Sequence, residues 1–135
     1  MTFIVDGTNG LTFNNSTTQA SAGLTSSSTQ VCQAWVNFNG ISSTTIRASY
    51  NVSSVTYTGT GLYTVNFTNA LSDANYAVTT GVSPRYAAGS AFANLFSNSA
   101  TTEVAPTTTA FTLRCGATDS GVTADLKYIC VAVFR

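Results

Sequence analysis

Short stretches in which apolar and polar residues alternate recur along this chain, and each is closed by a turn signal. The clearest stretch is residues 62–68 (LYTVNFT), which places Tyr63, Val65 and Phe67 on one side. Successive side chains of a β-strand point to opposite faces of a sheet, so this alternation predicts strands with one buried face. The preceding residues 58–61 (TGTG) are typical of a hairpin loop, because glycine readily adopts positive φ. The pattern predicts antiparallel sheets.

Composition favours the same fold class. Thr, Val, Tyr and Phe are abundant and suit the half-buried surface of a sheet, whereas the helix formers Glu, Lys, Gln, Arg and Met are scarce. About seven short strands, spaced about 8–12 residues apart, predict an all-β fold, an antiparallel β-sandwich or jelly-roll-like domain. Residues 85–106 do not alternate cleanly, so a short helix and a strand both remain open there.

Two strands are predicted early in this domain. Residues 32–38 alternate and put Trp35 on the outer, polar face, where it would contact another subunit or cover a neighbouring segment. Residues 46–52 also alternate, which predicts one strand that carries Ile46 and Val52 on the same face.

The last strand, predicted over residues 126–135, is apolar on both faces. Such a strand is central in its sheet or covered by a partner chain. Only 7% of the residues are charged, so few charges would keep copies of the chain apart. We therefore expect an oligomer whose interface includes Trp35, Ile129, Val131 and Val133.

The first thirty residues differ from the rest. Residues 14–30 consist mainly of Ser, Thr, Asn and Gln and contain too few apolar groups to offset the entropy lost on ordering. We expect residues 1–30 to form an extended N-terminal attachment arm and residues 31–135 to form the β-sandwich domain. The predicted apolar anchors of the arm are Phe3, Ile4, Val5, Leu11 and Phe13.

The inventory of charged and reactive groups argues against an enzyme. The chain has five basic residues, five acidic residues and no histidine, which removes His-based acid–base and nucleophile systems. The carboxylates are scattered through turns, where Asp commonly caps the turn, and they form no calcium-binding run. We expect no catalytic residue, no metal and no cofactor. A net charge of zero also predicts no nucleic-acid binding, and no apolar run is long enough for membrane insertion.

The chain has three cysteines, Cys32, Cys115 and Cys130, at unrelated spacings. An odd number fits neither a disulfide framework nor a zinc site. We expect three buried thiols in a chain made in a reducing cytoplasm, with Cys130 buried on a central strand.

Several stretches of the chain carry a resemblance: residues 34–40 (AWVNFNG), 46–55 (IRASYNVSSV), 61–68 (GLYTVNFT) and 73–78 (DANYAV). They resemble a module common in virion proteins of tailed bacteriophages, particularly tail-fibre-like proteins. Residues 10–19 (GLTFNNSTTQ) are similar to the Thr-Gln-ending segment that often precedes phage fibre domains. The resemblance covers about residues 3–78.

The resemblance implies a non-enzymatic, homotrimeric structural protein of the virion, assembled in the cytoplasm of a bacterial host. The first of two roles that fit this resemblance is a small fibre or adhesion module, which the arm anchors to tail, baseplate or capsid proteins. A glycan of the host surface would be a further partner. The alternative is a capsid decoration (cement) protein that stabilises the head shell.

Overall fold

The computed structural model describes residues 4–6, 10–12, 18–19, 31–41, 43–84, 90–99, 102–118 and 121–135. The chain divides into two compact units, Met1–Val31 and Cys32–Arg135. Every regular element in the described residues is a β-strand. These residues contain no helix whose length and apolarity would let it span a bilayer.

The described strands of the first unit form a small antiparallel sheet in the order β1 (Ile4–Asp6), β2 (Gly10–Thr12) and β3 (Thr18–Gln19). Ile4 and Val5 lie on β1, and Leu11 lies on β2. Two other predicted anchors, Phe3 and Phe13, lie outside the described residues. The attachment role of the arm therefore stays a prediction.

The second unit is an antiparallel β-sandwich, which confirms the predicted fold class. Its described strands are β4 (Cys32–Asn39), β5 (Thr45–Tyr50), β6 (Val52–Gly59), β7 (Leu62–Phe67), β8 (Ala77–Val82), β9 (Ala91–Leu95), β10 (Ala110–Ala117) and β11 (Ile129–Phe134). One sheet, here called sheet I, has the order β5-β4-β11-β8, and sheet II has the order β6-β7-β10-β9. Every neighbouring pair runs antiparallel.

The core lies between the two sheets, and alternation determines which side chains enter it. Strand β7 buries Tyr63, Val65 and Phe67, as the sequence pattern predicts. Across the core, the Phe38 ring of β4 meets the Tyr63 ring edge-to-face, with centroids 5.2 Å apart. Each large apolar side chain buried this way stabilises the fold by about 1.5–3 kcal/mol before ordering costs.

The final strand is central in sheet I, between β4 and β8. Its β-branched face points into the core, where Ile129, Val131 and Val133 are only 0%, 4% and 1% exposed. These three side chains pack against the opposite sheet and cannot reach a partner chain, which corrects the interface predicted at their positions. The face of β11 that stays accessible carries Cys130 and Phe134.

The strand predicted over residues 46–52 is divided by a corner at Asn51. Asn51 has φ of 52°, a left-handed conformation that Asn tolerates better than most residues. Its amide nitrogen donates to the carbonyl oxygens of Gln33 and Asn69 at 3.1 and 3.2 Å, and its Oδ1 accepts from the Asn69 N–H at 2.8 Å. The chain therefore leaves sheet I after Tyr50 and enters sheet II at Val52.

Residues 85–106, for which the sequence allows either a short helix or a strand, contain a strand. Strand β9 pairs with β10 and ends at Leu95, just before Phe96, whose φ is 56°. The Phe96 ring returns to the core, 6.2 Å from the Phe111 ring centroid.

Candidate interaction surface

The outer face of sheet I exposes aromatic side chains. The register places Tyr50 of β5 opposite Trp35 of β4, then Ala132 of β11, then Thr79 of β8, in one row across all four strands. Trp35 and Tyr50 are 39% and 51% exposed. Because directly opposed residues share a face, both side chains project from the same side of the sheet.

Small residues border these rings. The next row of the register runs from Ala48 through Asn37 and Cys130 to Gly81, where an added Cβ would meet nothing within 4 Å. At the far end of β11, Phe134 is 41% exposed and lies opposite Ala77. We call this surface the aromatic face. It comprises Trp35, Tyr50, Phe134, Ala132, Cys130, Thr79 and Gly81.

A cluster of positive charge lies at the other end of the same face. The pairing of β4 with β5 shifts register between Asn37 and Phe38, which leaves Arg47 without a directly opposed residue. Its guanidinium lies 4.3 Å from the centroid of the Tyr128 ring, and the Lys127 Nζ lies 5.8 Å from the same centroid. We call Arg47, Lys127 and Tyr128 the cationic corner.

Hydrogen bonds hold the cationic corner in place. The Arg47 guanidinium donates to the Asn37 Oδ1 at 3.2 Å and to the Lys127 carbonyl oxygen at 2.7 Å. Within the part of the chain that the structure describes, the ion pair joins Asp73 to Arg135, the residue that follows the far end of β11. The positive charges of the cationic corner are thus not neutralised by a described carboxylate.

The outer face of sheet II differs in character. Its polar side chains bond to one another; for example, the Asn66 amide donates to the Ser54 Oγ at 3.1 Å and to the Thr56 Oγ1 at 3.0 Å. Arg114 on this face is only 6% exposed, with the Phe92 ring centroid 4.8 Å from its guanidinium. Among the described residues, sheet II exposes the Tyr57 ring, whereas sheet I exposes Trp35, Tyr50 and Phe134 together on one face.

A second polar cluster lies in the loop before β11 and is centred on Asp125. Its Oδ1 accepts the Gly61 N–H at 2.7 Å and the Tyr63 hydroxyl at 2.9 Å, and its Oδ2 accepts the Tyr57 hydroxyl at 3.4 Å. Burial, followed by the hydrogen bond to Asp125, raises the pKa of Tyr63 far above its usual range. The cluster ties the loop before β11 to the hairpin between β6 and β7.

The described residues contain no group of three or more His, Cys, Asp or Glu side chains that could hold a metal ion. The prediction of buried thiols is confirmed for Cys115, and burial raises its pKa to about 12. Cys32 is partly buried. The prediction is wrong for Cys130, which is exposed because the other face of β11 enters the core.

We expect Cys130 to react readily with a maleimide in the native protein, whereas Cys115 reacts only after denaturation. The reason is that a thiol must reach solvent before the reagent can reach it. Mass spectrometry of peptides from briefly labelled protein measures both rates, and Cys130→Ser identifies the fast site. A native Cys130 as slow as Cys115 would contradict the outward direction of this side chain.

Comparisons with protein-family models, with curated proteins and with solved structures give no match for this chain. The site must therefore be interpreted from its own residues. Of the predicted interface residues, Trp35 lies on the aromatic face, and its role at an interface stays a prediction. The cationic corner was not predicted, because alternation does not reveal a register shift.

Proposed function

We propose that this protein is a non-enzymatic structural protein of a bacteriophage virion, a small fibre or adhesion module that binds through the sandwich and attaches through its first thirty residues. The observation that carries the proposal is the aromatic face, an exposed surface on a hydrogen-bonded sheet. Exposed aromatic side chains rimmed by polar groups are typical of contact surfaces. The resemblance of residues 34–78 to tail-fibre-like proteins supports the same function.

The sandwich suits such a role because its contact residues are held rigidly. Trp35 lies in the middle of β4, which pairs on both sides, and the strand buries Ala34 and Val36 on its other face. A surface built on a packed strand keeps its shape on binding, so less entropy is lost than with a loop.

The low charge supports assembly with other copies and other virion proteins. With 7% charged residues, contacts between chains would depend on apolar and hydrogen-bonding groups, and salt would weaken them little. We propose a homotrimer, following the resemblance. Partners in the tail, baseplate or capsid would hold the N-terminal unit.

The test is association with phage particles. Quantitative mass spectrometry of purified virions is expected to find the full chain at the low copy number of a tail appendage. A chain that lacks residues 1–30 is expected to fold but to be missing from the particles. A copy number that matches the capsid lattice would identify a head-decoration protein instead, and absence of the full chain from particles would contradict a virion role.

A further inference from the structure

We propose that the aromatic face and the cationic corner together bind an acidic oligosaccharide. The sugar rings would stack on Trp35 and Tyr50, while a carboxylate or phosphate group of the sugar meets Arg47 and Lys127. This inference rests on the proposed adhesion function and specifies its ligand class.

The two rings supply the stacking platform. Trp35 and Tyr50 are directly opposed across β4 and β5, which puts their Cβ atoms about 5 Å apart. Both remain substantially exposed. Tryptophan and tyrosine combine a large apolar face with a polar group, which matches a sugar, whose rings have apolar C–H faces and hydroxyls at their edges.

The neighbouring strands leave room beside the platform. Next to Trp35 in the register come Ala132 and Thr79, and the adjacent row ends at Cys130 and Gly81. No bulky side chain stands on these four positions, and neighbouring strands lie about 4.8 Å apart, so this low region is about 10 Å wide. That width accommodates one extended oligosaccharide chain lying against the rings.

The charge selects an anionic ligand over a neutral one. A guanidinium has five N–H donors, and Arg47 uses only two of its groups on protein acceptors. The Lys127 side chain is exposed, and the contact that the structure describes for its Nζ is with the Tyr128 ring. Arg47 and Tyr50 are three residues apart on β5, which is about 10 Å along a strand. One short chain can therefore reach both the cations and the rings.

Two other occupants fit less well. Nucleic acid carries a phosphate at every nucleotide, whereas this face offers the two cations of one corner on a chain of zero net charge. A second copy of the chain would need about 800 Å² from each partner for a standard interface. The flat outline of four strands of about six residues is about 400 Å², so a second copy would have to make contacts beyond this face.

The experiment uses the full chain and its single tryptophan, Trp35, as the reporter. The probes are a hexamer of galacturonic acid, a phosphorylated glucose hexamer and an unmodified glucose hexamer. We expect the acidic hexamers to change the Trp35 emission saturably and to bind at least about tenfold more tightly than the neutral one. The stronger of the two acidic probes distinguishes a carboxylate from a phosphate ligand.

Two variants and one control test the cationic corner. Arg47→Gln is expected to weaken binding of the acidic hexamer about tenfold. Lys127→Gln is expected to weaken it several-fold, and this side chain makes no described hydrogen bond whose loss could disturb the fold. Arg135→Gln removes a positive charge beyond the far end of β11 and is expected to leave the affinity unchanged. Added salt is expected to weaken binding of the acidic hexamers alone.

Three outcomes would overturn the inference: equal affinity for acidic and neutral hexamers, acidic binding unchanged in both corner variants, or no saturable change with any probe. Shielding of Cys130 that grows with protein concentration would also overturn it, because a second copy would then cover the face. Association with virions is measured without sugar. A chain that is found in virions but binds none of the three hexamers would therefore refute this inference and leave the proposed function standing. A chain that binds acidic sugar but is missing from virions refutes the proposed function.

Discussion

Replacing Asp125 by alanine is expected to lower the free energy of unfolding by about 3 kcal/mol, because it removes the acceptor of several hydrogen bonds at once. The Gly61 N–H and the Tyr63 hydroxyl both lose a short bond to the carboxylate, and Tyr63 is only 1% exposed. The Tyr63 hydroxyl can still donate to the Gly40 carbonyl oxygen at 3.1 Å, so the loss comes mainly from the Gly61 N–H and from the extra strength of bonds to a charged acceptor. Chemical denaturation monitored by Trp35 fluorescence measures the loss.

The matched control is Asp73→Ala. Asp73 also accepts hydrogen bonds, from Arg135 and from the Asn75 N–H, but its ion pair is open to solvent on both sides. Its removal is expected to shift the denaturation midpoint far less than Asp125→Ala does. Equal effects of the two substitutions would show that the Asp125 cluster contributes no more than an exposed ion pair.

Local alternation determines much of this fold, and that part could be predicted from the sequence. Strand β7 and the inward face of β10 follow directly from their apolar residues at every second position. The hairpin before β7 was also predictable, since Gly61 has φ of 67° at the turn. Each of these features depends on a few consecutive residues, which is the range over which a period of two carries information.

The predictions that prove wrong fall where the alternation of apolar and polar residues carries no information. The segment from Ile46 to Val52 keeps its alternation through Asn51, yet the backbone turns there from one sheet to the other. In β11 both faces are apolar, so the pattern cannot decide which face enters the core. The sequence predicts an interface on the face with Val131, which packs inside, and a buried Cys130, which is exposed.

The candidate site was predicted in part. Trp35 could be placed on an outer face, because it lies between Ala34 and Val36 in a regular strand. The cationic corner could not be predicted, since Arg47 and Tyr128 are brought together by the pairing of β4 with both β5 and β11. The same holds for Asp125 and Tyr63, which lie 62 residues apart in sequence.

Alkaline pH is expected to unfold this protein steeply. Burial raises the pKa of Cys115 from 9.0 and that of Tyr76 from 10.0, each to about 12, and raises the pKa of Tyr63 still further. In the unfolded chain these groups lose their protons near pH 9–10, while the folded chain keeps them. The folded state then binds more protons, so stability is fully present below pH 9 and falls as the pH rises.

The expected slope distinguishes this cause from general alkaline damage. Each of the three groups contributes at most about 1.4 kcal/mol per pH unit, and all three approach this value near pH 11, so the free energy of unfolding should fall there by up to about 4 kcal/mol per unit. The summed loss reaches about 5 kcal/mol at pH 11 and about 9 kcal/mol at pH 12, so a domain at the lower end of the typical range of about 5–15 kcal/mol should unfold between these two pH values. Reversible denaturation between pH 8 and 12 measures the slope, with the steepest part expected near pH 11. Near pH 11, Cys115→Ala and Tyr76→Phe should each remove about a third of it. If Cys115→Ala and Tyr76→Phe leave the slope unchanged, these two groups ionise equally easily in the folded and unfolded chain, which would contradict the prediction.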